Sequence, residues 1–305
     1  MYVNDINVHV EKGICNLYAD DVLLYSTGHD IAELRSNLQS SLDSAKVWYD
    51  CNKLVVNGSK SNSILVGTNQ KLSSLQRSNN DLSLNVHIGD DDVPDVHVID
   101  YLGLKIDQNL MWNDYVEKLC KKLNAKISVL SRTKHYVTHD SLLDIYRSTI
   151  QPNIDYCITA WGYTSNCNID KVQHMQNRAA RVIYGNFDFV NVRGLDLVKQ
   201  LGIHNIRQRR DYFMAVLMFK AIYGLAPNYL CDEITMQIEV SDRVTRSYDS
   251  DNVHVPLFMS QLCDNAFFVK GPTLWNSLPP YIKSSGSLVD FKSKCKDYFM
   301  NIFTF

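Results

Sequence analysis

Asp20 and Asp21 stand side by side between two short apolar runs, 14–18 and 22–26. Neighbouring carboxylates repel, and both stay ionised together only beside a cation; hard oxygen ligands acting on a phosphate substrate suit Mg²⁺. Adjacent residues of a strand face opposite ways, so the pair serves one site only where the chain bends, as it does at a hairpin tip. Taken alone, the dipeptide reads first as a solvated turn, the usual fate of such a pair. A second set is cationic: Lys171, His174, Arg178 and Arg181 recur at three- and four-residue steps beside Val172, Met175, Ala179 and Ile183, and Arg207, Arg209 and Arg210 open the next helical segment. Such a stripe could follow a phosphate backbone and weaken with salt as counterions are released, or be a solvated face without a partner. His135 and His139 lack the Glu of a zinc-hydrolase helix and read as surface histidines. Cys157, Cys167 and His174 read as ordinary buried thiols and a neighbour rather than a metal site. Trp48, Trp112, Trp161 and Trp275 sit within apolar patterns and are expected in the core.

The elements that hold these residues follow from hydrophobic periodicity. The runs flanking Ala19-Asp20-Asp21 predict a hairpin with a carboxylate tip. Asp30 with Glu33 forms a capping box ahead of Ile31, Leu34, Leu38, Leu42, Ala45 and Trp48, an amphipathic helix. Strands are expected at 53–56 and 63–67, joined by Asn57-Gly58-Ser59-Lys60. The polar stretch 68–95, with Asp90-Asp91-Asp92, reads as a surface insertion, and Val96 to Ile106 as a strand pair around Gly103. From Trp112 the period becomes helical. Val116, Leu119, Leu123, Ile127 and Leu130 form one stripe, and Leu142, Ile145, Tyr146 and Ile150 another that Pro152 ends. A third helix runs from an Asn168 cap to Gly185, and a fourth covers about 204–223, closed by Gly224 and Pro227. Residues 236–305 are mixed, with Trp275, Pro279-Pro280 and a lysine-rich helix near 288–302. The class is α+β.

The totals, 305 residues with 45% hydrophobic, admit two domains and a packed core and exclude a disordered chain. The first ten residues lack the basic and apolar regions of a secretion signal. The longest apolar run, 213–226, is interrupted by Lys220 and falls short of the roughly 20 residues of a membrane span. Eight scattered cysteines without a CxxC pair read as reduced thiols, so an intracellular protein, cytoplasmic or nuclear, is expected. A net charge of −2 carries no global basic signature, yet it conceals balances of −7 over 1–110, +7 over 111–225 and −2 over 226–305.

Asn4-Asp5 followed by Leu17-Tyr18-Ala19-Asp20-Asp21 closely resembles the catalytic hairpin of reverse transcriptases, in particular those of non-LTR (LINE, Jockey-like) retrotransposons. Leu54-Val55-Val56-Asn57-Gly58-Ser59-Lys60-Ser61 is similar to the family's next palm segment. Tyr101-Leu102-Gly103-Leu104 with Ile106-Asp107 and Leu110-Met111-Trp112 is similar to its primer-grip hairpin and the start of its thumb. Gln176-Asn177-Arg178-Ala179-Ala180-Arg181 and Gly271-Pro272-Thr273-Leu274-Trp275-Asn276-Ser277-Leu278-Pro279 resemble the helical region that follows the polymerase. The resemblance implies a partial palm over 1–110, a hairpin with a packed helix. It further implies a helical thumb and connection over 111–235 and a small C-terminal module over 236–305. It implies RNA-directed DNA synthesis with an RNA template, a DNA primer, deoxynucleotides and Mg²⁺. Asp20 would bridge two ions with Asp21 as the weaker ligand, and Lys60 would neutralise or protonate the departing pyrophosphate. Tyr18, Tyr101, Leu102 and Gly103 would lie against the primer terminus, and Lys171, His174, Arg178, Arg181, Arg207 and Arg210 along the nucleic-acid backbone. Family members need a further metal-binding Asp and fingers residues from an upstream segment, so this chain by itself is expected to be inactive. The alternative is a decayed or repurposed nucleic-acid-binding protein without catalysis.

Overall fold

The computed structural model describes residues 5–10, 12–78, 81–240, 251–257 and 261–302, and the chain divides into two compact units, Met1–Leu110 and Met111–Phe305. The architecture is α+β, with helices predominating and the described strands confined to antiparallel pairs.

In the first unit a short helix α1 (Ile6–His9) leads into β1 (Ile14–Tyr18) and β2 (Asp21–Tyr25), which pair over their full length. Alternation places Cys15 opposite Leu24 and Leu17 opposite Val22 on one face. That face packs with Ile6 on Ala45 and Trp48 of α2 (Ile31–Cys51). A two-stranded hairpin is marginal alone, and this packing supplies what it lacks; fully burying Ile6 contributes roughly 2–3 kcal/mol. At Gly13 a Cβ would sit 2.5 Å from the Ser41 hydroxyl, so the missing side chain lets the hairpin approach α2. α2 starts at Asp30, whose carboxylate accepts from the Glu33 N–H at 2.8 Å. The Glu33 carboxylate reaches one residue beyond the expected box, to the His29 N–H at 2.8 Å.

The stretches 53–56, 63–67 and 68–95 fold differently from what their sequence suggests. No described strand forms at 53–56 or 63–67: Lys53 has φ +56°, Val55 is almost wholly exposed, and Ser63 makes only an isolated bridge to Asp95. Apolar residues without a neighbouring ladder do not make a strand. The stretch 68–95 is not a surface insertion. It contains α3 (Asn69–Ser78) and the short pair β3 (His87–Ile88) and β4 (Asp91–Asp92), and it buries Leu84, Val86 and Val93 against Leu34, Leu38 and Leu42 of α2. Gln39 fixes the register by bonding both the N–H and the carbonyl of His87, each at 3.0 Å. The unit ends in β5 (Val98–Tyr101) and β6 (Leu104–Asp107), joined by Leu102-Gly103.

The second unit is helical. Its successive helices are α4 (Asn113–Thr133), α5 (His139–Ile145), a π segment Tyr146–Ile150, α6 (Gln151–Asp155), α7 (Ile158–Trp161), α8 (Asn166–Tyr184), α9 (Gly194–Gln200) and α10 (Ile206–Ile222). Then come α11 (Asn228–Cys231), α12 (Gln237–Val240), α13 (Gln261–Asp264), α14 (Phe267–Ser277), α15 (Pro280–Lys283) and α16 (Leu288–Asn301). The stripe from Val116 to Leu130 is buried, as its period requires. Pro152 does not end the second stripe. The π segment widens the ladder just before it, and the proline falls in the first turn of α6, where its missing N–H costs nothing. Ser165, not Asn168, caps α8; Asn168 is buried and donates to Asn113 Oδ1 at 2.8 Å. Gly185 ends α8 at φ +68°. A core cluster joins Ala215, Met218 and Phe219 of α10 to Trp275, Phe291 and Phe299. No helix among the described residues is long and apolar enough to cross a membrane.

Candidate active-site hairpin and basic helices

Between β1 and β2 the connection is only two residues, Ala19-Asp20, because Tyr18 pairs directly with Asp21. Ala19 takes φ +54° while Asp20 does not enter the left-handed region, the pattern of a II′ turn that suits the twist of two strands. A non-glycine residue held there stores roughly 1–3 kcal/mol. The sequence places Asp21 within the tip; the structure makes it the first residue of β2. Its register puts Asp21 beside Tyr18 on the outer face, away from the α2 core, with Asn16, Leu23, Ile14 and Tyr25. Tyr18 is 64% exposed, and both carboxylates are exposed.

The second hairpin turns through Leu102 at φ +46° and Gly103 at φ +79°, the two positive angles of a I′ turn. Tyr101, just before it, is half-buried. Burial raises its hydroxyl above the ordinary tyrosine range, and the negative charges of Asp21 and then Cys15 raise it further. Tyr101 therefore lies within electrostatic reach of Asp21, so the fold brings together residues that are 80 positions apart in the sequence. Cys15, unremarked in the sequence except as an apolar position, also raises the Tyr49 hydroxyl, after burial. Its alternation with Leu17 is the signal that places it on this inner face.

Lys60 ends the 3₁₀ turn Gly58–Lys60 and is exposed; among the described residues its side chain pairs with neither Asp20 nor Asp21. Asn4 lies outside the described residues, and Asp5 is exposed at the start of α1. Among the described residues no three His, Cys, Asp or Glu side chains gather where they could hold a metal ion. Asp20 and Asp21 offer two carboxylates, whereas a two-ion site needs more oxygen ligands than two side chains provide. The hairpin thus fits part of such a site and not the whole.

The basic residues of the second unit are not one surface. Lys171 and His174 are exposed on α8, and Arg178 donates to Asn124 at 2.8 Å. Arg181 is buried, donating to the carbonyls of Asp188 at 3.0 Å and Val192 at 2.6 Å while its guanidinium lies 4.3 Å from the Phe189 ring. It organises the loop after α8. Arg207 pairs with Asp170 at 3.1 Å, and Arg210 pairs with Asp211 at 2.7 Å and lies over Tyr163.

The two helical motifs are absorbed by the core. Gln176 donates to the Tyr146 hydroxyl at 3.1 Å and the His204 carbonyl at 3.0 Å, and Gln173 accepts from the Ile206 N–H at 2.9 Å, so α8 fixes the start of α10. Asn276 of α14 bonds both the N–H and the carbonyl of Val253, at 2.9 and 2.8 Å, and the Trp275 indole donates to the Asp251 carbonyl at 2.8 Å. Three of the four tryptophans, Trp48, Trp161 and Trp275, are at most 4% exposed, while Trp112 is half-buried.

Over 179 residues, 57% of this chain, it is 25% identical to a Drosophila melanogaster protein described as "Probable RNA-directed DNA polymerase from transposon X-element", of which that match covers 18%. It is 20% identical over 182 residues to the RNA-directed DNA polymerase from mobile element jockey of Drosophila funebris, covering 59% of this chain and 19% of the relative. Identity to the jockey polymerase of Drosophila melanogaster is 22% over 210 residues, 66% of this chain and 22% of the relative. The chain thus spans about a fifth of the length of these curated relatives. No family model and no solved structure matches it.

Proposed function

We propose, from its similarity to the RNA-directed DNA polymerases of Drosophila mobile elements, that this chain forms the end of a reverse-transcriptase palm, its thumb and the region beyond. The parent activity is copying an RNA template onto a DNA primer with deoxynucleotides. The observation that carries the reading is the two-residue hairpin that presents Tyr18 and Asp21 on one open face, with Tyr101 of the second hairpin in electrostatic reach of Asp21. An exposed tyrosine beside a carboxylate suits a primer terminus and an ion held near its 3′ hydroxyl. Asp20 and Asp21 would serve as ligands of Mg²⁺ there, and the remaining ligands would come from a segment other than the described residues. Lys60 is assigned to the pyrophosphate, and Lys171, His174 and Arg178 to the backbone of the template–primer duplex. Arg181, Arg207 and Arg210 would act on it indirectly, through the loop and ion pairs they hold.

Two measurements test this. The chain alone is expected to bind an RNA–DNA hybrid with an affinity that falls as salt rises, and to give no templated primer extension. Grafted in place of the matching region of the jockey polymerase, it should support extension, and Asp20→Asn should abolish it. Extension that survives Asp20→Asn rejects the ligand assignment. Binding without extension by the graft favours the non-catalytic nucleic-acid-binding alternative.

A further inference from the structure

A cleft of about 320 Å³ opens between α10 and α16. Its α10 wall is one helical face, with Arg209, Tyr212, Phe213, Val216 and Lys220 recurring at three- and four-residue steps. Its α16 wall carries Lys292 and Lys296, one turn apart, on either side of Cys295, which is fully buried in the core beneath. The walls are held by backbone clamps: His204 Nε2–H donates to the Lys296 carbonyl at 2.9 Å, and Gln208 donates to the Ile302 carbonyl at 2.8 Å. Among the described residues no carboxylate pairs with Lys220, Lys292 or Lys296. Arg209 is already bound to Asp155 through two bonds, and Asp297 is the other carboxylate near His204. The lining thus carries three lysines and one arginine and no carboxylate, which leaves an excess of positive charge around a preformed cleft even with Arg209 held by Asp155. The Tyr212 and Phe213 rings meet edge to face at 5.4 Å along the same wall.

We propose that this cleft binds the backbone of a single nucleic-acid strand, with phosphates on the lysines and a base against the aromatic wall. None of Lys220, Lys292, Lys296, Tyr212 and Phe213 belongs to the hairpin or to the α8 basic face. Lys292 and Lys296 are separated by a rise of about 6 Å along the helix, comparable with the spacing of successive phosphates on a strand. Flanking rings give the sequence-tolerant stacking that single-strand sites use. A strand suits this geometry better than a free nucleotide or pyrophosphate, because the cations line an open groove instead of a closed cradle of backbone N–H groups. Only the identity of the anion rests on the polymerase reading; the cationic cleft does not.

The test is fluorescence anisotropy with the full chain and a labelled single-stranded RNA of about 20 nucleotides, across a salt series. Lys292→Glu with Lys296→Glu should weaken binding at least tenfold and reduce the salt slope by about 1.4, roughly 0.7 for each lost phosphate contact. Lys292→Arg with Lys296→Arg should retain both. Both sites are exposed helix positions, and an unchanged melting temperature verifies the fold. Wild-type affinity and slope in the Glu variant overturn the site while leaving the polymerase reading intact. Absence of strand and hybrid binding by the wild-type chain overturns both. Inorganic pyrophosphate binding in the cleft more tightly than the strand overturns the assignment of a strand.

Discussion

His204 is enclosed between the start of α10 and the end of α16, where its Nε2–H is held by a carbonyl and its ring lies 5.7 Å from Tyr212. Burial is the main cause that keeps its imidazole below the ordinary value of 6.5, with Arg209 and Lys296 acting in the same direction. The unfolded chain therefore takes up a proton below about pH 6.5 that the folded chain resists, so this residue's contribution to stability is present above that pH and is lost as the pH falls. Urea midpoints at pH 7.5 and 5.5 should drop more in the wild type than in His204→Gln; equal drops in both proteins contradict this. The same reasoning separates the arginines. Arg181 and His204 hold backbone inside the fold, while Lys171 and His174 face water on α8 and remain available to a partner. Residue type alone did not distinguish them, because every arginine in a helical stripe looks alike until its partners are known.

Helix contacts set the tolerance of the second unit. A Cβ on Gly271 of α14 would overlap the Met218 sulfur of α10 and come within 3.0 Å of its Cγ, in a core where Met218 is fully buried. Gly271→Ala is expected to cost about 1–3 kcal/mol through overpacking. At Gly185 a Cβ meets open space, so Gly185→Ala should cost only the left-handed backbone, about 1 kcal/mol. Denaturant titration gives the order, and a larger loss at Gly185 would reject the packing argument. Periodicity located α2, α4, α10 and both main hairpins well, because each carries a long or clean apolar pattern. It failed at 68–95, where Leu84, Val86 and Val93 are too few against polar neighbours to reveal that α2 offers them a second face. It failed at Pro152 because the rule that proline ends a helix assumes a regular ladder, and the π segment that ends two residues earlier alters that ladder.

Among the described residues each unit has core clusters of its own: Ile6, Ala45 and Trp48, and Leu84, Val86 and Val93, in the first, and the cluster from α10 to α16 in the second. Calorimetry should resolve two transitions, with Gly271→Ala lowering only one; a single transition shifted as a whole contradicts this. The second unit's core also ties α10 to 267–302, so the C-terminal segment packs with the helical middle through Phe219, Trp275 and Phe291. By itself, the sequence determined the carboxylate-tipped hairpin, the helical period after Trp112 and the likeness to mobile-element polymerases, because these are written in local spacing and ordered motifs. Tertiary structure alone decided that Asp21 sits on the outer face beside Tyr18, that Tyr101 feels its charge, and that Arg181 is internal while Lys292 and Lys296 line a cleft with Lys220. Those are relations between distant residues, and they exist only once side chains from different elements compete for the same interior, for water and for countercharge.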